Sequence, residues 1–200
     1  MAINAFQTVT PGAKLAMVNN KLGNPGLKKN QGSTFEVYDY VDVTANLGTS
    51  QVVRFFSSVN TKTFPFTNLQ QNQLQVGEAL AIEYIAFTRL TFEGGKLTGI
   101  DPLLSLSEFS LSQMSILLDN SRIIKVNSLM RSFDAFNTKG STARNFLFYP
   151  DTDLTIPPQI SFTVELNVPQ NTDSTTTGIS VYYGCHLFGT GSILNLKTNV

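Results

Sequence analysis

Tryptophan is absent from this chain of 200 residues, and cysteine and histidine occur once each, as Cys185 and His186. A single cysteine excludes an intramolecular disulfide framework. One histidine and one cysteine are too few for a metal site built from several imidazole or thiolate ligands. The two are neighbours in YYGCHLF. Neighbours on a strand point to opposite faces, so Cys185 reads as a buried thiol and His186 as a surface imidazole, not as a nucleophile and its base. Charge is also scarce: 14% of residues are Asp, Glu, Lys or Arg, against roughly 25% in an average globular chain. Fourteen cations balance fourteen anions, which argues against broad phosphate contact, and no sequence-specific nucleic-acid partner is expected. No apolar run approaches the ~20 residues of a membrane-spanning helix; LAIEYIAF comes nearest and is interrupted by Glu83. The opening MAINAFQTVTPG has neither a basic nor an apolar region, so a secretory signal is not expected. Phosphate-binding glycine loops, nucleophile elbows and paired carboxylates are missing. Asp151 and Asp153 in YPDTDL suit a turn that bonds its own backbone better than a hard-cation site. No enzyme, cofactor or metal is therefore expected, and no catalytic residue is assigned.

What is present is β-sheet chemistry. The chain is 42% hydrophobic with 15 phenylalanines, enough for a substantial core. FEVYDYVDV alternates, with Phe35, Val37, Asp39 and Val41 on one face and Glu36, Tyr38, Tyr40 and Asp42 on the other. QVVRFFSSV is rich in strand formers. Pro65 in TFPFTN marks an edge or corner. Gly94-Gly95 in TFEGGKLT predicts a two-residue hairpin. FSLSQMSILL is read as a strand, although Ser105 and Glu108 also have capping-box spacing for a short helix at 104–109. ISVYYGCHLFG reads as a strand that turns at Gly189-Thr190-Gly191 into a last strand, SILNLKT. Residues 1–33 differ: Thr10-Pro11 opens a short helix through Met17, and GNPG and KKNQGS are loop chemistry.

One pattern is written twice. At an offset of 80, Leu74, Val76, Leu80, Ile82 and Tyr84 meet Leu154, Ile156, Ile160, Phe162 and Val164, and a corner splits each segment, Gly77-Glu78 in one and Pro157-Pro158 in the other. Internal similarity at a long period is a sign of duplicated units. A low-charge surface suits a protein covered by copies of itself, because interface cores are depleted in charge; a monomer with a neutral polar surface is the alternative.

On these paired segments and on its architecture the chain resembles the double jelly-roll major capsid proteins of icosahedral viruses of the tectivirus and adenovirus lineage. The resemblance is nearest to the minimal members from lipid-containing single-stranded DNA phages of flavobacteria. It covers residues from about 34 to 200 and rests on no diagnostic motif. It implies an all-β fold of two tandem jelly-roll sandwiches, at 34–110 and 111–200, behind a helical arm at 1–33. It also implies homotrimeric capsomers of nearly hexagonal outline, made in the host cytoplasm and built into a virion. Penton or minor capsid proteins and an internal lipid membrane are the implied further partners. The arm's Lys14, Lys21, Lys28 and Lys29 are expected to meet anionic lipid or a neighbouring capsomer. A single jelly-roll shell, penton, spike, decoration or other minor virion protein is the nearest fallback, and a lectin-like sandwich using Tyr149, Asp151 and Asp153 is the rival from another class.

Overall fold

The computed structural model describes residues 30–76, 78–103, 111–128, 147–150, 154–172, 174 and 177–194. The helices expected at 10–17 and 104–109, the four arm lysines, Asp151 and Asp153 lie outside the described residues. Ten strands are described: β1 Asn30–Asp42, β2 Gln51–Phe55, β3 Glu78–Glu93, β4 Lys96–Pro102, β5 Gln113–Leu118, β6 Ser121–Ser128, β7 Leu147–Phe148, β8 Leu154–Ile156, β9 Phe162–Val168 and β10 Ile179–Leu194. Single 3-10 turns occur at Thr44–Asn46 and Val59–Thr61. No helix among the described residues is long and apolar enough to cross a membrane.

Alternation sets which side chains enter the core. On β9, Phe162, Val164, Leu166 and Val168 are buried, and the residues between them are half-exposed. A one-residue slip would move all four to the surface. Each such side chain contributes about 1.5–3 kcal/mol on burial, so the slip would cost as much as the ~5–15 kcal/mol that stabilises a typical domain. On β10, Val181, Tyr183, Cys185 and Leu187 are buried. Rings from both sheets meet in the middle, Phe55 with Phe87 at 5.9 Å between centroids, and Phe56, just after β2, packs on Phe162 of β9 at 5.0 Å.

The strands form two antiparallel sheets. The first has the order β1-β10-β3-β4, with β7 and β8 also paired to β3; the second has the order β2-β9-β5-β6. The pairing is nested: β1 with β10, β2 with β9, β3 with β8 and β7, and β5 with β6. Each sheet therefore draws strands from both sides of residue 110. The described strands make one sandwich, where two tandem sandwiches at 34–110 and 111–200 were expected.

The twice-written pattern has another cause. The second copy's β8 pairs with the first copy's β3, Leu80 opposite Ile156 and Ile82 opposite Leu154. Leu74 bridges Pro158, and the Gln159 and Phe162 amides donate to the carbonyls of Leu74 and Asn72. The two segments look alike because they turn the same corner side by side.

The Gly94-Gly95 hairpin forms as expected, with Glu93 opposite Lys96. Residues 113–118 are strand, and Pro65 sits at a corner behind a cis Phe64–Pro65 peptide. The expected turn at Gly189–Gly191 does not occur. β10 runs through it, and its register on β3 shifts between Phe188 and Gly189. A Cβ at Gly189 would fall 1.8 Å from the Ala81 carbonyl oxygen. Glycine there admits a bulge against the neighbouring backbone, not a reversal of the chain.

Candidate assembly surface

An antiparallel sheet with one solvated face ordinarily turns polar residues outward. The second sheet follows that rule on β9, with Thr163, Glu165 and Asn167 between the buried positions. Glu165 there pairs with Arg54 of β2 at 3.1 Å. The first sheet does not. Across β1, β10 and β3, its outward rows read Glu36–Phe188–Tyr84, Tyr38–His186–Ala86, Tyr40–Gly184–Thr88 and Asp42–Tyr182–Leu90.

The rings of this face stack on one another. Tyr84 and Phe188 lie 4.7 Å apart at 21°, Phe188 and His186 5.9 Å at 9°, and His186 and Tyr38 5.6 Å at 27°. Tyr149 extends the row beyond Tyr84 at 6.0 Å. At the other end Phe66 comes in from the loop before β3 and packs on Tyr182 at 4.7 Å and Phe92 at 5.8 Å. Burial raises the phenol pKa of Tyr38, Tyr40, Tyr84 and Tyr182. The face is thus already part-dehydrated, which lowers the cost of covering it.

His186 holds the centre. Its Nδ1 is 2.8 Å from Glu36 Oε1, and its Nε2 is 2.9 Å from the Tyr40 hydroxyl and 3.1 Å from Thr88 Oγ1. With Nδ1–H donated to the carboxylate, Nε2 is left to accept from a hydroxyl. Gly184 makes room: a Cβ there would stand 2.3 Å from the Tyr40 ring. Carboxylate, imidazole and hydroxyl in this order resemble a nucleophile relay. The surroundings do not serve one. Thr88 sits mid-strand between Gly184 and Pro102, where backbone amides are committed to the ladder. Neither Thr88 nor His186 lines the clefts beside Phe35, Phe64 and Val52. The cluster orders the rings around it.

A second buried polar group supports the edge of this sheet. Asp39 faces inward from β1 and is fully buried. Its carboxylate accepts from Lys62 Nζ at 2.9 and 2.8 Å and from the Phe56 amide at 2.8 Å. Burial pushes the carboxyl pKa up, and the lysine and the amide pull it part of the way back. Phe56 has a φ of 64°, a conformation that an aromatic residue rarely adopts, and the carboxylate pins it there.

The sequence placed Cys185 inside and His186 at the surface; Cys185 is buried, and His186 takes the opposite, outer face but keeps only 13% of its side-chain surface. Burial raises the Cys185 thiol well above its usual range. Asp39 and Asp42 take opposite faces, as their spacing requires. Tyr149 is exposed beside Tyr84. Sequence reasoning missed the partners of His186, which come from strands 150, 146 and 98 residues away. The available signal was the outward set Glu36, Tyr38 and Tyr40, too aromatic for a solvated face. Among the described residues no three His, Cys, Asp or Glu side chains gather as metal ligands. No protein-family profile matches the chain, and no curated protein matches it.

Proposed function

We propose that this chain is a structural protein of an icosahedral virion, a single jelly-roll unit that assembles with copies of itself. Nested antiparallel pairing in two packed layers, here of six and four strands, is in keeping with a jelly-roll arrangement, which recurs in viral shells, lectins and cupins. Cupin-type metal chemistry is poorly served by a chain with one histidine. Sugar-binding platforms offer ring faces, whereas Tyr84, Phe188, His186 and Tyr38 turn their faces to each other. The observation that carries the reading is the aromatic outer face of the first sheet, because aromatic enrichment with charge depletion marks interface cores. With one sandwich per chain, the two-sandwich trimer of hexagonal outline gives way to a shell, penton or minor virion protein built from single units. Neighbouring copies, other capsid proteins and an underlying lipid membrane are its proposed partners, and the virion is its place. Closed symmetric association is the work such a unit does.

Light scattering on the full chain behind a sizing column, followed by electron microscopy, tests this. Rings or closed shells are the expected outcome. A compact monomer at high concentration would overturn it and turn attention to glycan binding near Tyr149.

A further inference from the structure

β1 is an edge strand of the first sheet, and half of its free edge is already closed. The Tyr40 amide donates to the Phe66 carbonyl at 2.8 Å, and the Tyr38 amide donates to Asn68 Oδ1 at 2.9 Å. Asn68 Nδ2 in turn donates to the Glu36 carbonyl at 2.8 Å. From Phe35 back to Asn30 no described residue pairs with that edge, which is roughly 20 Å of unpaired backbone. Beside it runs a groove of about 660 Å³. Five glutamines, Gln70, Gln71, Gln73, Gln75 and Gln159, line it, and among the described residues its charged side chains are Glu36 and Glu78, with no cation. Carboxamides both donate and accept, so such a wall suits the backbone of an extended peptide. An open strand edge gives that peptide its main-chain bonds, and the two carboxylates select a basic one.

The chain itself contains a segment of that chemistry. Residues 1–29, ahead of β1, carry Lys14, Lys21, Lys28 and Lys29 and no Asp or Glu. Resting on the self-assembly reading above, we infer that the groove beside β1 receives the N-terminal arm of a second copy. In each copy the arm joins β1 at Asn30. The residues just before it, Gly23-Asn24-Pro25-Gly26, would pair poorly, because proline lacks the donor and glycine weakens a strand. A neighbour's arm arrives from outside without that constraint.

The test uses the full chain, assembled from a mixture of isotopically heavy and light copies and treated with a zero-length carbodiimide that joins lysine to carboxylate. Peptides linking the arm lysines to Glu36 or Glu78 are expected, with mixed heavy–light pairs as abundant as unmixed ones, and their yield is expected to fall several-fold at high salt. Assemblies that give only unmixed pairs, in which each arm fills its own groove, or no arm-to-groove links at all, would overturn this inference and leave the self-assembly reading standing. A chain that never associates would overturn both.

Discussion

Replacing Lys62 with methionine tests how far the fold depends on one buried ion pair. Asp39 is 0% exposed and Lys62 keeps 19% of its side-chain surface. The substitution keeps the hydrocarbon stem and removes the cation and its two contacts at 2.8–2.9 Å. The carboxylate is then left in the core with the Phe56 amide. Stripping one partner from a buried pair costs about 3–5 kcal/mol. Partial access of water to the Lys62 end brings our expectation to about 2–4 kcal/mol, a large share of a ~5–15 kcal/mol total. The deficit should depend on pH. In the parent the folded carboxyl is raised by burial, so between the ordinary carboxylate range and that raised value the folded state holds more protons than the unfolded state. Stability therefore falls as pH rises through that window and is flat above it. Without Lys62 the carboxyl rises further, and the window extends upward. The variant's deficit is then greatest near neutral pH and shrinks on acidification as the orphaned carboxylate takes up a proton. Urea unfolding followed by circular dichroism, at about pH 7 and about pH 5, reads both effects. A variant as stable as its parent near neutrality, or a deficit that acid leaves unchanged, would refute the argument.

Three other outcomes are expected. Gly189→Ala should lower stability by about 3 kcal/mol or more, seen as a fall in Tm, because the new methyl meets the Ala81 carbonyl and backbone cannot step aside. Phe188→Ala should weaken association at least about tenfold by light scattering, while the monomer loses only the ~0.5–1.5 kcal/mol of its stack on Tyr84 plus some burial. Cys185 should resist thiol reagents in the native chain and label at the rate of unfolding, since it is fully buried with its thiol pKa raised.

Alternation and turn chemistry made much of the local structure readable. FEVYDYVDV, the Gly94-Gly95 hairpin and the Cys185/His186 division of faces all follow from period-two geometry. Pairing did not follow, because alternation says which side of a sheet a residue faces and not which strand lies next to it. The Tyr40 and His186 strands are joined across 146 residues. No local signal carries that information, so similar segments at 74–84 and 154–164 read as a duplication when they are adjoining parts of one corner. Gly189 was read as a turn for the same reason. Glycine marks an unusual backbone, and only the partner strand reveals that it is a bulge. The Asp39–Lys62 pair stayed hidden because alternation places Asp39 on the inward face but does not say which cation, 23 residues on, reaches it there.

The loop from Phe56 to Asn68 ties these features together. Its first residue is held at φ 64° by Asp39, its middle by Lys62 on the same carboxylate, and its end closes the β1 edge through Phe66, Thr67 and Asn68. The same loop lays Phe66 on the aromatic face. An inward charge on β1 thus decides where the free edge of β1 begins. Open edges pair indiscriminately unless they are capped, and an assembling protein needs an edge that one partner can use and others cannot. Asn68→Ala separates these roles, because it removes both side-chain bonds to β1 from an exposed residue without touching the core. The expected result is a small loss of stability, about 1 kcal/mol, with a disproportionate rise in irregular, concentration-dependent association by light scattering. If Asn68→Ala associates as the parent does while Lys62→Met, still folded, becomes irregular, the buried pair governs the edge and Asn68 only decorates it. If neither changes the course of association, the edge is not where copies meet, and the aromatic face must carry assembly alone.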